Sequence, residues 1–355
     1  MKVFFDHEIF TAQDYGGISR YFASLQHIFK ESQKADLEIA VPNWRTNNLH
    51  YCNVYGTKPT GYTFRKLTEG YNDIINCKAQ IFGDFDLIHR TYMQATFNPK
   101  HVPEICTIHD CIPERFPDEF NLQDFVQVKN NLMQRCARVI AVSNQTKEDL
   151  LTYYDIAESK IDVVHHCVPS FPTDNEINVP LPKRFILFVG KRRGYKNFRG
   201  LLGAFEAAKL EKMGYKIVAF GGGAKTMEDL YEIEACQLNG DNVIFMNGDD
   251  RLLADLYRNA ACFVFPSLYE GFGIPLLEAF SENCVVCCSN ISVFHEIASD
   301  EAEYFDPLSK GDFSSALLRC ITKDKPNVSD MIFNKFSSSK IYSETLSTYI
   351  KALQA

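Results

Sequence analysis

The sequence lacks the features of several protein classes. It has no apolar run of about 18 residues, the length that a transmembrane helix needs, so we expect no membrane span. It has no excess of basic residues: 37 Lys and Arg stand against 45 Asp and Glu, for a net charge of −8. An acidic chain repels phosphate backbones, so nucleic acid is not expected as a partner. A local basic patch that contacts an anionic lipid surface remains open.

The sequence also has no recognisable leader, disulfide or zinc pattern. The N-terminal run MKVFFDHEIF meets Asp6 and Glu8 at once, so we expect a first core strand and a cytoplasmic protein. The twelve cysteines are scattered, many in apolar runs, which favours buried free thiols. Cys284, Cys287 and Cys288 cluster, but no second ligand pair at zinc spacing is evident. We therefore expect a buried strand there and no metal.

Short apolar runs alternate with helical patterns through both halves of the 355 residues. A chain of this length suits two domains, and such alternation indicates parallel sheets covered on both faces. The sequence therefore predicts an α/β protein of two doubly wound, Rossmann-like domains that face each other across a cleft. We place the domains at 1–170 and 183–338, joined by a Pro-rich polar stretch, and a last helix at 339–355 that could cross back to the first domain. The runs predicted as strands are KVFFD, LEIAV, DLIHR, EICTIHD, RVIAVS and IDVVHH, then RFILFVG, YKIVAFGG, NVIFM, ACFVFPS and CVVCCS.

Helices are predicted where apolar residues recur at helical spacing. One follows the glycine pair at Gly16, and another spans Lys147–Tyr154 with Ser143 as its N-cap. In the second half we expect helices at Asn197–Leu210 and Leu252–Ala260. Ligands of open parallel sheets bind beyond the carboxyl ends of the strands, so residues just after strands are the candidates for a site.

The segment SLYEGFGIPLLE, which follows the run CFVFP, has the chemistry of an anion and sugar site. Gly271 and Gly273 allow a ligand to approach the backbone, and Pro275 suits the first helical position. The free N–H groups of such a helix favour a diphosphate. Glu270 before the turn and Glu278 in the first helical turn could accept hydrogen bonds from hydroxyls. The alternative is an ordinary strand, turn and helix with a favourable dipole.

EGFGIPLLE resembles the E-x7-E motif of glycosyltransferase family 4, a large retaining family with the GT-B fold. The resemblance covers almost the whole chain, since YGGISRY, TIHDCIPERFP, the stretch from AVSNQ to HHCV, and FVGKRRGYKNFRGLLGAF also resemble family segments in the family's order. It implies transfer of a sugar from a nucleoside diphosphate to a glycan or lipid-linked glycan, with retention at the anomeric carbon. Members that build surface polysaccharide or lipopolysaccharide often use guanosine-linked mannose-type donors, and uridine-linked donors are also common in the family.

The resemblance assigns roles to individual residues. Glu270 matches the contact to donor sugar hydroxyls, Glu278 the contact to ribose, and Lys196 the lysine that neutralises the diphosphate. Arg192 is our choice for a second cation, with Lys191 and Arg193 as competitors, because a diphosphate leaving group develops negative charge. A solvated basic turn is the alternative for KRRGYK. The remaining positions assigned to donor binding are Gly17, Gly190, Gly271, Phe272, Gly273 and Ile274.

His109 follows a predicted strand and matches the family histidine near the anomeric carbon; the alternative is a strand-end histidine with a satisfied hydrogen bond. Adjacent residues in extended chain point to opposite sides, so His109 and Asp110 need not form an acid–base pair. Gly17 could approach donor phosphates or the acceptor, or form an ordinary tight turn. FGGG lacks the full dinucleotide spacing and is expected to be a loop that lines the cleft. Lys58–Tyr71, with basic and aromatic residues, could contact an acceptor or an anionic membrane, or be a plain loop.

The resemblance implies neither metal nor cofactor, since the nucleotide sugar is a substrate. We expect catalysis by leaving-group stabilisation, with Glu270 and Glu278 holding the donor and not moving protons. Two rival functions remain: another enzyme on the same architecture, such as a nucleotide-sugar epimerase or a phosphorylase, and a non-catalytic nucleotide-sugar-binding partner. An epimerase would convert the donor without an acceptor, and a binding partner would not turn it over at all.

Overall fold

A computed structural model describes residues 1–32, 37–61, 65–93, 97–120, 122–171 and 179–355. The chain forms two compact units. The first consists of Met1–Cys167 together with Phe336–Ala355, and the second of Val168–Lys335. Most of the polar stretch expected between the domains, residues 172–178, lies outside the described residues, as do Tyr62 and Phe64.

The first unit is a six-stranded parallel sheet with the strand order β2-β1-β3-β4-β5-β6. Its strands and helices, in chain order, are β1 (Lys2–Phe5), α1 (Glu8–Ala12), α2 (Gly17–Glu31), β2 (Glu38–Ala40), α3 (Leu49–Tyr55), α4 (Arg65–Phe82), β3 (Leu87–Arg90), β4 (Glu104–Ile108), α5 (Ile112–Arg115), α6 (Leu122–Arg135), β5 (Arg138–Ala141), α7 (Asn144–Tyr153) and β6 (Ile161–Val163). The central strands are buried on both faces, which is why they appear in the sequence as short continuous apolar runs.

Local sequence signals place the helices of this unit. Ser143 is the N-cap of α7, because its side chain accepts a hydrogen bond from the backbone N–H of Thr146, as predicted. α2 begins at Gly17 and buries an apolar face on β1, where the rings of Phe22 and Phe5 meet edge to face at 5.3 Å. This packing fixes the helix that begins after the glycine pair.

The second unit is also a six-stranded parallel sheet, with the order β12-β11-β10-β7-β8-β9. Its strands and helices are β7 (Phe185–Val189), α8 (Phe198–Ala207), β8 (Lys216–Phe220), α9 (Met227–Ala235), β9 (Val243–Met246), α10 (Asp250–Asn259), β10 (Phe263–Phe265), α11 (Ile274–Ser281), β11 (Val286–Ser289), α12 (Ser292–Ala298), β12 (Ala302–Phe305), α13 (Lys310–Cys320) and α14 (Asp330–Lys335). The prediction of two doubly wound parallel sheets is thereby confirmed.

The sequence reading missed β12. This edge strand is only half-buried and carries Glu303 at its centre, so it lacks the continuous apolar run that marks a central strand. Glu303 instead forms exposed ion pairs with Arg319 and Lys323 of the following helical region.

The last helix, α15 (Ser338–Leu353), belongs to the first unit. The rings of Tyr342 and Tyr349 lie 5.1 and 6.1 Å from the ring of Phe29 in α2. Lys351 Nζ lies 2.6 Å from Asp162 Oδ1 in β6. The chain therefore ends on the sheet with which it began.

All twelve cysteines are free thiols. Cys287 and Cys288 lie in β11 and Cys284 just before it, and all three are buried, so the prediction of a buried strand is confirmed. Across the described residues there is no cluster of His, Cys, Asp and Glu suited to a metal ion. Likewise, no helix in the described part of the chain is both long and apolar enough to cross a bilayer.

Candidate functional site

The order of strands in the second unit creates a crevice at one edge of its sheet. From β7 the chain adds β8 and β9 on one side, and then returns to add β10, β11 and β12 on the other. The loops after β7 and β10 therefore leave neighbouring strands in opposite directions, which is where doubly wound sheets bind ligands. A backbone hydrogen bond of 2.7 Å from Leu268 N–H to the Tyr195 carbonyl ties the two loops together.

Lys196 and Glu270 meet at this point. Lys196 Nζ, in the loop after β7, donates a hydrogen bond of 2.6 Å to Glu270 Oε1, in the loop after β10. The two side chains are only 17% and 10% exposed. The ammonium group also lies 5.4 Å from the ring centre of Phe265 and 5.2 Å from that of Tyr195. A cation and a carboxylate are thus held, largely desolvated, at the switch point.

Gly190 and Gly273 shape the backbone on either side of this pair. Gly190 has φ +130°, and a Cβ built on it would lie 4.0 Å from Lys196 Cε. Gly273 caps α11 with φ +110°, and its Cβ would lie 3.1 Å from a ring carbon of Phe294. Both positions therefore favour glycine, which adopts positive φ at little cost. Gly271 and Phe272 are buried just before the cap, and Ile274 is the first helical residue.

The expected placement of Glu278 in the first turn of its helix is wrong. The helix begins at Ile274, so Pro275 is its second residue and Glu278 lies in the second turn, with no acidic residue in the first. Glu278 is buried, and Tyr257 of α10 donates a hydrogen bond of 3.0 Å to its Oε2. A phenol that donates to a buried carboxylate fixes the orientation of that carboxylate.

Arg192 lies in a buried network. Its Nε and one terminal nitrogen donate hydrogen bonds of 2.9 and 3.1 Å to the two carboxylate oxygens of Asp229. The other terminal nitrogen donates at 2.7 Å to the carbonyl of Gly221, and Ala224 accepts a further bond at 2.9 Å. Its neighbours differ: Lys191 is exposed, and Arg193 forms an exposed ion pair of 2.6 Å with Glu228.

Burial alone would raise the pKa of Asp229, but hydrogen bonds from Arg192 and from Thr226 lower it below its ordinary value. Sequence reasoning missed this carboxylate. The sequence does contain a signal for the helix start at this position, because Thr226 and Asp229 form the capping box that begins α9.

The three glycines of the FGGG run follow β8 and begin the loop whose carbonyls accept hydrogen bonds from Arg192. Gly221, Gly222 and Gly223 all have φ between +72° and +83°. A Cβ on Gly222 would lie 2.8 Å from a guanidinium nitrogen of Arg192 and 2.8 Å from the Gly190 carbonyl. The glycines thus let the two loops pack backbone against backbone. The loop after β8 therefore packs against the loop that carries Lys196.

In the first unit, His109 follows β4 and lies among aromatic side chains. The Tyr21 ring meets it edge to face at 5.0 Å, and the His166 ring lies 5.7 Å away. Burial lowers the pKa of His109 to about 3, so its imidazole is neutral at physiological pH. Its Nε2 is buried, and no residue of the described chain forms a hydrogen bond with it. Such an atom is available to a ligand.

A chain of buried polar groups supports this cluster. Tyr349 of α15 and His89 of β3 are joined by a hydrogen bond of 2.8 Å at Nδ1, and His89 Nε2 lies 2.8 Å from Thr107 Oγ1. Thr107 Oγ1 is 3.3 Å from the Tyr21 hydroxyl. The ring that covers one side of His109 is therefore fixed by groups from three elements.

Gly17 is the first residue of α2, with Gly16 as its N-cap. The short helix α1 lies between β1 and this glycine pair, so the pair does not follow the strand directly. Arg20, one turn on, donates a hydrogen bond of 2.6 Å to the Tyr15 hydroxyl. Asp110 accepts from the backbone N–H of Ile112 at 3.0 Å, at the start of α5.

The predicted residues therefore fall into three groups. Lys196 and Glu270 are in contact, with Gly190 and the start of α11 beside them. Arg192 and Glu278 lie nearby in the same unit, each in a buried hydrogen-bond network that includes a residue the sequence reading missed, Asp229 or Tyr257. His109 and Gly17 belong to the other unit.

Two family profiles match almost the whole chain. The profile of Glycosyltransferase Family 4 matches residues 15–170, and that of Glycosyl transferases group 1 matches residues 171–334.

Two curated relatives are mannosyltransferases by name. The chain is 28% identical over 213 residues to the O-antigen chain mannosyltransferase RfbU of Salmonella typhimurium, which covers 59% of each protein. It is 27% identical over 240 residues to the serotype-specific mannosyltransferase WbdA of Escherichia coli, covering 62% of this chain and 29% of WbdA. The matches thus span less than two thirds of either relative.

Among solved structures, Anabaena HepE in complex with UDP and glucose is similar with a TM-score of 0.70. The identity is 14%, and the match covers 98% of both chains. At this identity the likeness shows the fold, which is GT-B. With both profiles matched in order, the chain belongs to the group 1 glycosyltransferases of family 4.

Proposed function

We propose that this protein transfers a sugar, with retention, from a nucleoside diphosphate to a hydroxyl of a glycan or lipid-linked glycan. The observation that carries the proposal is the contact between Lys196 and Glu270 beside the start of α11, at the switch point of the second sheet. A diphosphate needs a cation and backbone N–H groups, and a sugar needs a fixed acceptor of hydrogen bonds. Lys196 supplies the cation, the start of α11 supplies the backbone N–H groups, and Glu270 supplies the acceptor.

The chemical step needs charge stabilisation at the leaving group. The acceptor oxygen forms a bond to the anomeric carbon as the bond from that carbon to the diphosphate oxygen breaks. The acceptor's proton passes to the departing diphosphate, on the same face of the sugar. Lys196 and the N–H groups at the start of α11 stabilise the negative charge that develops there. Catalysis in this scheme uses no metal ion.

The carboxylates hold the donor. Glu270 accepts hydrogen bonds from the sugar hydroxyls, in exchange for part of its contact with Lys196, which turns to the diphosphate. Glu278, oriented by Tyr257, accepts from the ribose hydroxyls. His109 acts as a neutral imidazole near the anomeric carbon, where its Nε2 takes a hydrogen bond with the substrate.

Two roles are open for Arg192: a direct contact to the diphosphate, or support of the loop that carries Lys196. Its role as a second cation on the diphosphate stays a prediction. The buried bonds to Asp229 and to the loop after β8 support an indirect role, in which it fixes the backbone that carries Gly190 and Lys196. Gly17 stays a predicted contact to donor or acceptor.

We favour a GDP-mannose-type donor, because two relatives are named as mannosyltransferases of O-antigen or serotype polysaccharides. A UDP-sugar is the second choice, since the HepE structure holds UDP and glucose. Surface polysaccharide or lipopolysaccharide synthesis on the cytoplasmic side is the corresponding setting.

A thermal-shift panel of nucleoside diphosphates identifies the donor, because only the matching nucleotide stabilises the fold by mass action. The matching donor sugar is then incubated with and without an acceptor glycan, in EDTA and with added magnesium. We expect release of the nucleoside diphosphate that depends on the acceptor and is unchanged by EDTA. A changed sugar without acceptor would identify an epimerase, and binding without turnover a non-catalytic partner; either would overturn the proposal.

A further inference from the structure

Asn197 follows Lys196 directly and has an unusual backbone conformation. Its φ of +53° and ψ of +39° lie in the left-handed region, although it carries a side chain. Among the described residues, five other non-glycine residues have positive φ: His101, Lys209, Gln237, Asn283 and Ser299. The last four follow the ends of helices, where positive φ commonly terminates a helix. Asn197 instead precedes a helix, α8, so helix termination does not explain its conformation.

Helix capping does not explain this residue either. An asparagine that caps a helix start has extended backbone, and its side-chain oxygen accepts a hydrogen bond from a backbone N–H of the first turn. The side chain of Asn197 makes no such bond. Its amide nitrogen instead donates a hydrogen bond of 3.2 Å to the carbonyl of Pro307, in the loop after β12. The amide also lies over Gly200, where a Cβ would come within 2.4 Å of Asn197 Oδ1.

Asn197 connects a fixed helix to the turn that carries Lys196. On the helix side, Phe198 is buried, and its ring lies 4.9 Å from that of Phe188 in β7. On the other side, the backbone N–H of Asn197 donates a hydrogen bond of 3.0 Å to the carbonyl of Gly194 and closes a single 3₁₀ turn. Because φ and ψ are the only soft dihedrals of the backbone, those of Asn197 set the direction of this turn relative to α8.

We propose that Asn197 is a positioning residue for Lys196, whose ammonium group its left-handed backbone holds against Glu270. This inference rests on the proposed function, in which Lys196 meets the diphosphate. Asparagine tolerates the left-handed region better than most residues that have a Cβ. Alanine prefers the right-handed region, in which the backbone would continue α8 toward the N-terminus. The turn would then become part of the helix, and Lys196 would move away from Glu270.

The test compares two substitutions of Asn197 that differ in backbone preference. Asn197→Gly removes the side chain but adopts the left-handed region at little cost, whereas Asn197→Ala disfavours that region. We expect Asn197→Ala to lower kcat about 10- to 100-fold, since a displacement of about 1 Å can cause such a loss. The KM for the donor should change less than about threefold, because Lys196 meets a charge that grows in the transition state. Asn197→Gly should keep kcat within about threefold of the wild type.

Two controls separate positioning from a general loss of stability. Asn283→Ala is the matched variant, because Asn283 also has positive φ, +51°, but follows the far end of α11. It should lower stability in urea to a similar extent and leave kcat nearly unchanged. In the Lys196→Ala background, Asn197→Ala should lower kcat less than about twofold further, because effects that act through one side chain are not additive.

Crystal structures of the variants give a readout that needs no turnover. The contact between Lys196 and Glu270 should be kept in Asn197→Gly and lost in Asn197→Ala. A wild type that transfers no sugar would overturn the proposed function, and these structures would still decide the role of Asn197.

Three results would overturn the positioning role. One is a loss of kcat in Asn197→Gly beyond about threefold, which would show that the side chain is required and not the backbone conformation. This outcome does not depend on whether the alanine variant folds. Another is an Asn197→Ala structure in which Lys196 keeps its contact with Glu270. The third is a full further loss of kcat when Asn197→Ala is added to Lys196→Ala.

Discussion

Lys196 Nζ and Glu270 Oε1 lie 2.6 Å apart, although 74 positions separate the two residues along the chain. The contact joins the loops after β7 and β10, the two strands between which the order of the sheet reverses. In this contact each charge satisfies the other. A donor would replace this single contact with two, phosphate to Lys196 and sugar to Glu270.

Replacing Lys196 with alanine should lower kcat/KM about 100- to 1,000-fold, because one preformed cation at a developing negative charge contributes about that much. The fold should be retained, since the side chains of Lys196 and Glu270 both keep access to solvent, at 17% and 10% exposure. Transfer assays with the identified donor measure the loss. Lys212→Ala removes an exposed charge elsewhere in the same unit and should change the rate little. An unchanged rate in Lys196→Ala would contradict the proposed role.

Lys196 and Glu270 should also show strong coupling in a double-mutant cycle. Each alanine variant leaves a largely buried charge without its partner, whereas the double variant removes both. We expect the double variant to be more stable in urea than the sum of the single losses implies, by about 1–3 kcal/mol. Additive losses would mean that the contact in the free protein is energetically unimportant.

Removal of Arg192 should destabilise the second unit. Arg192→Ala leaves the buried carboxylate of Asp229 and several carbonyls without their donor, which costs about 3–5 kcal/mol. Arg193→Ala breaks an exposed ion pair with Glu228 and an exposed hydrogen bond of 3.4 Å to Thr226 Oγ1, and should cost less than about 1 kcal/mol. Urea midpoints compare the two neighbours directly. Arg192→Lys separates the two proposed roles, because it keeps a cation but loses the fork of bonds that holds the loop. Nearly normal stability in Arg192→Ala would exclude the supporting role.

The buried histidines of the first unit should make stability depend on pH. The pKa values of His89 and His109 are lowered to about 3, chiefly by burial, so the folded chain stays unprotonated where the unfolded chain takes up protons. Stability is therefore fully present above about pH 6.5 and is lost as pH falls toward about 3.

Each such histidine contributes a slope of about 1.4 kcal/mol per pH unit within that window. His109→Gln should reduce the slope of unfolding free energy against pH by the contribution of one histidine, about 1.4 kcal/mol per pH unit. Urea unfolding at several pH values measures this slope. Parallel curves for the variant and the wild type would show that His109 does not resist protonation.

The hydrogen bond between Tyr349 and His89 should stabilise the attachment of α15. Tyr349→Phe removes the hydroxyl and leaves a buried imidazole nitrogen without this partner, at a cost of about 1–3 kcal/mol. Tyr153→Phe, at an exposed tyrosine, should change the free energy of unfolding by less than about 0.5 kcal/mol. Equal effects of the two changes would argue against a role for the buried chain.

Local sequence segments were sufficient to predict much of the fold and part of the candidate site. Buried parallel strands must be continuous apolar runs, so most strands were readable, whereas β12 was not because an edge strand can be polar. The glycine at the start of α11 and the acidic residues around it were equally readable. The exact start of that helix was not, because local sequence leaves helix ends uncertain by a residue or two.

The sequence by itself determined two doubly wound sheets, the loops that follow their strands, and the residue types at the candidate site. These follow from periodicity, glycine and capping, which act over a few residues. Only the tertiary structure decided that Lys196 meets Glu270, that Arg192 is held by Asp229, and that Tyr257 orients Glu278. Such contacts join residues far apart in sequence, and strand order and packing, which no local pattern encodes, bring them together.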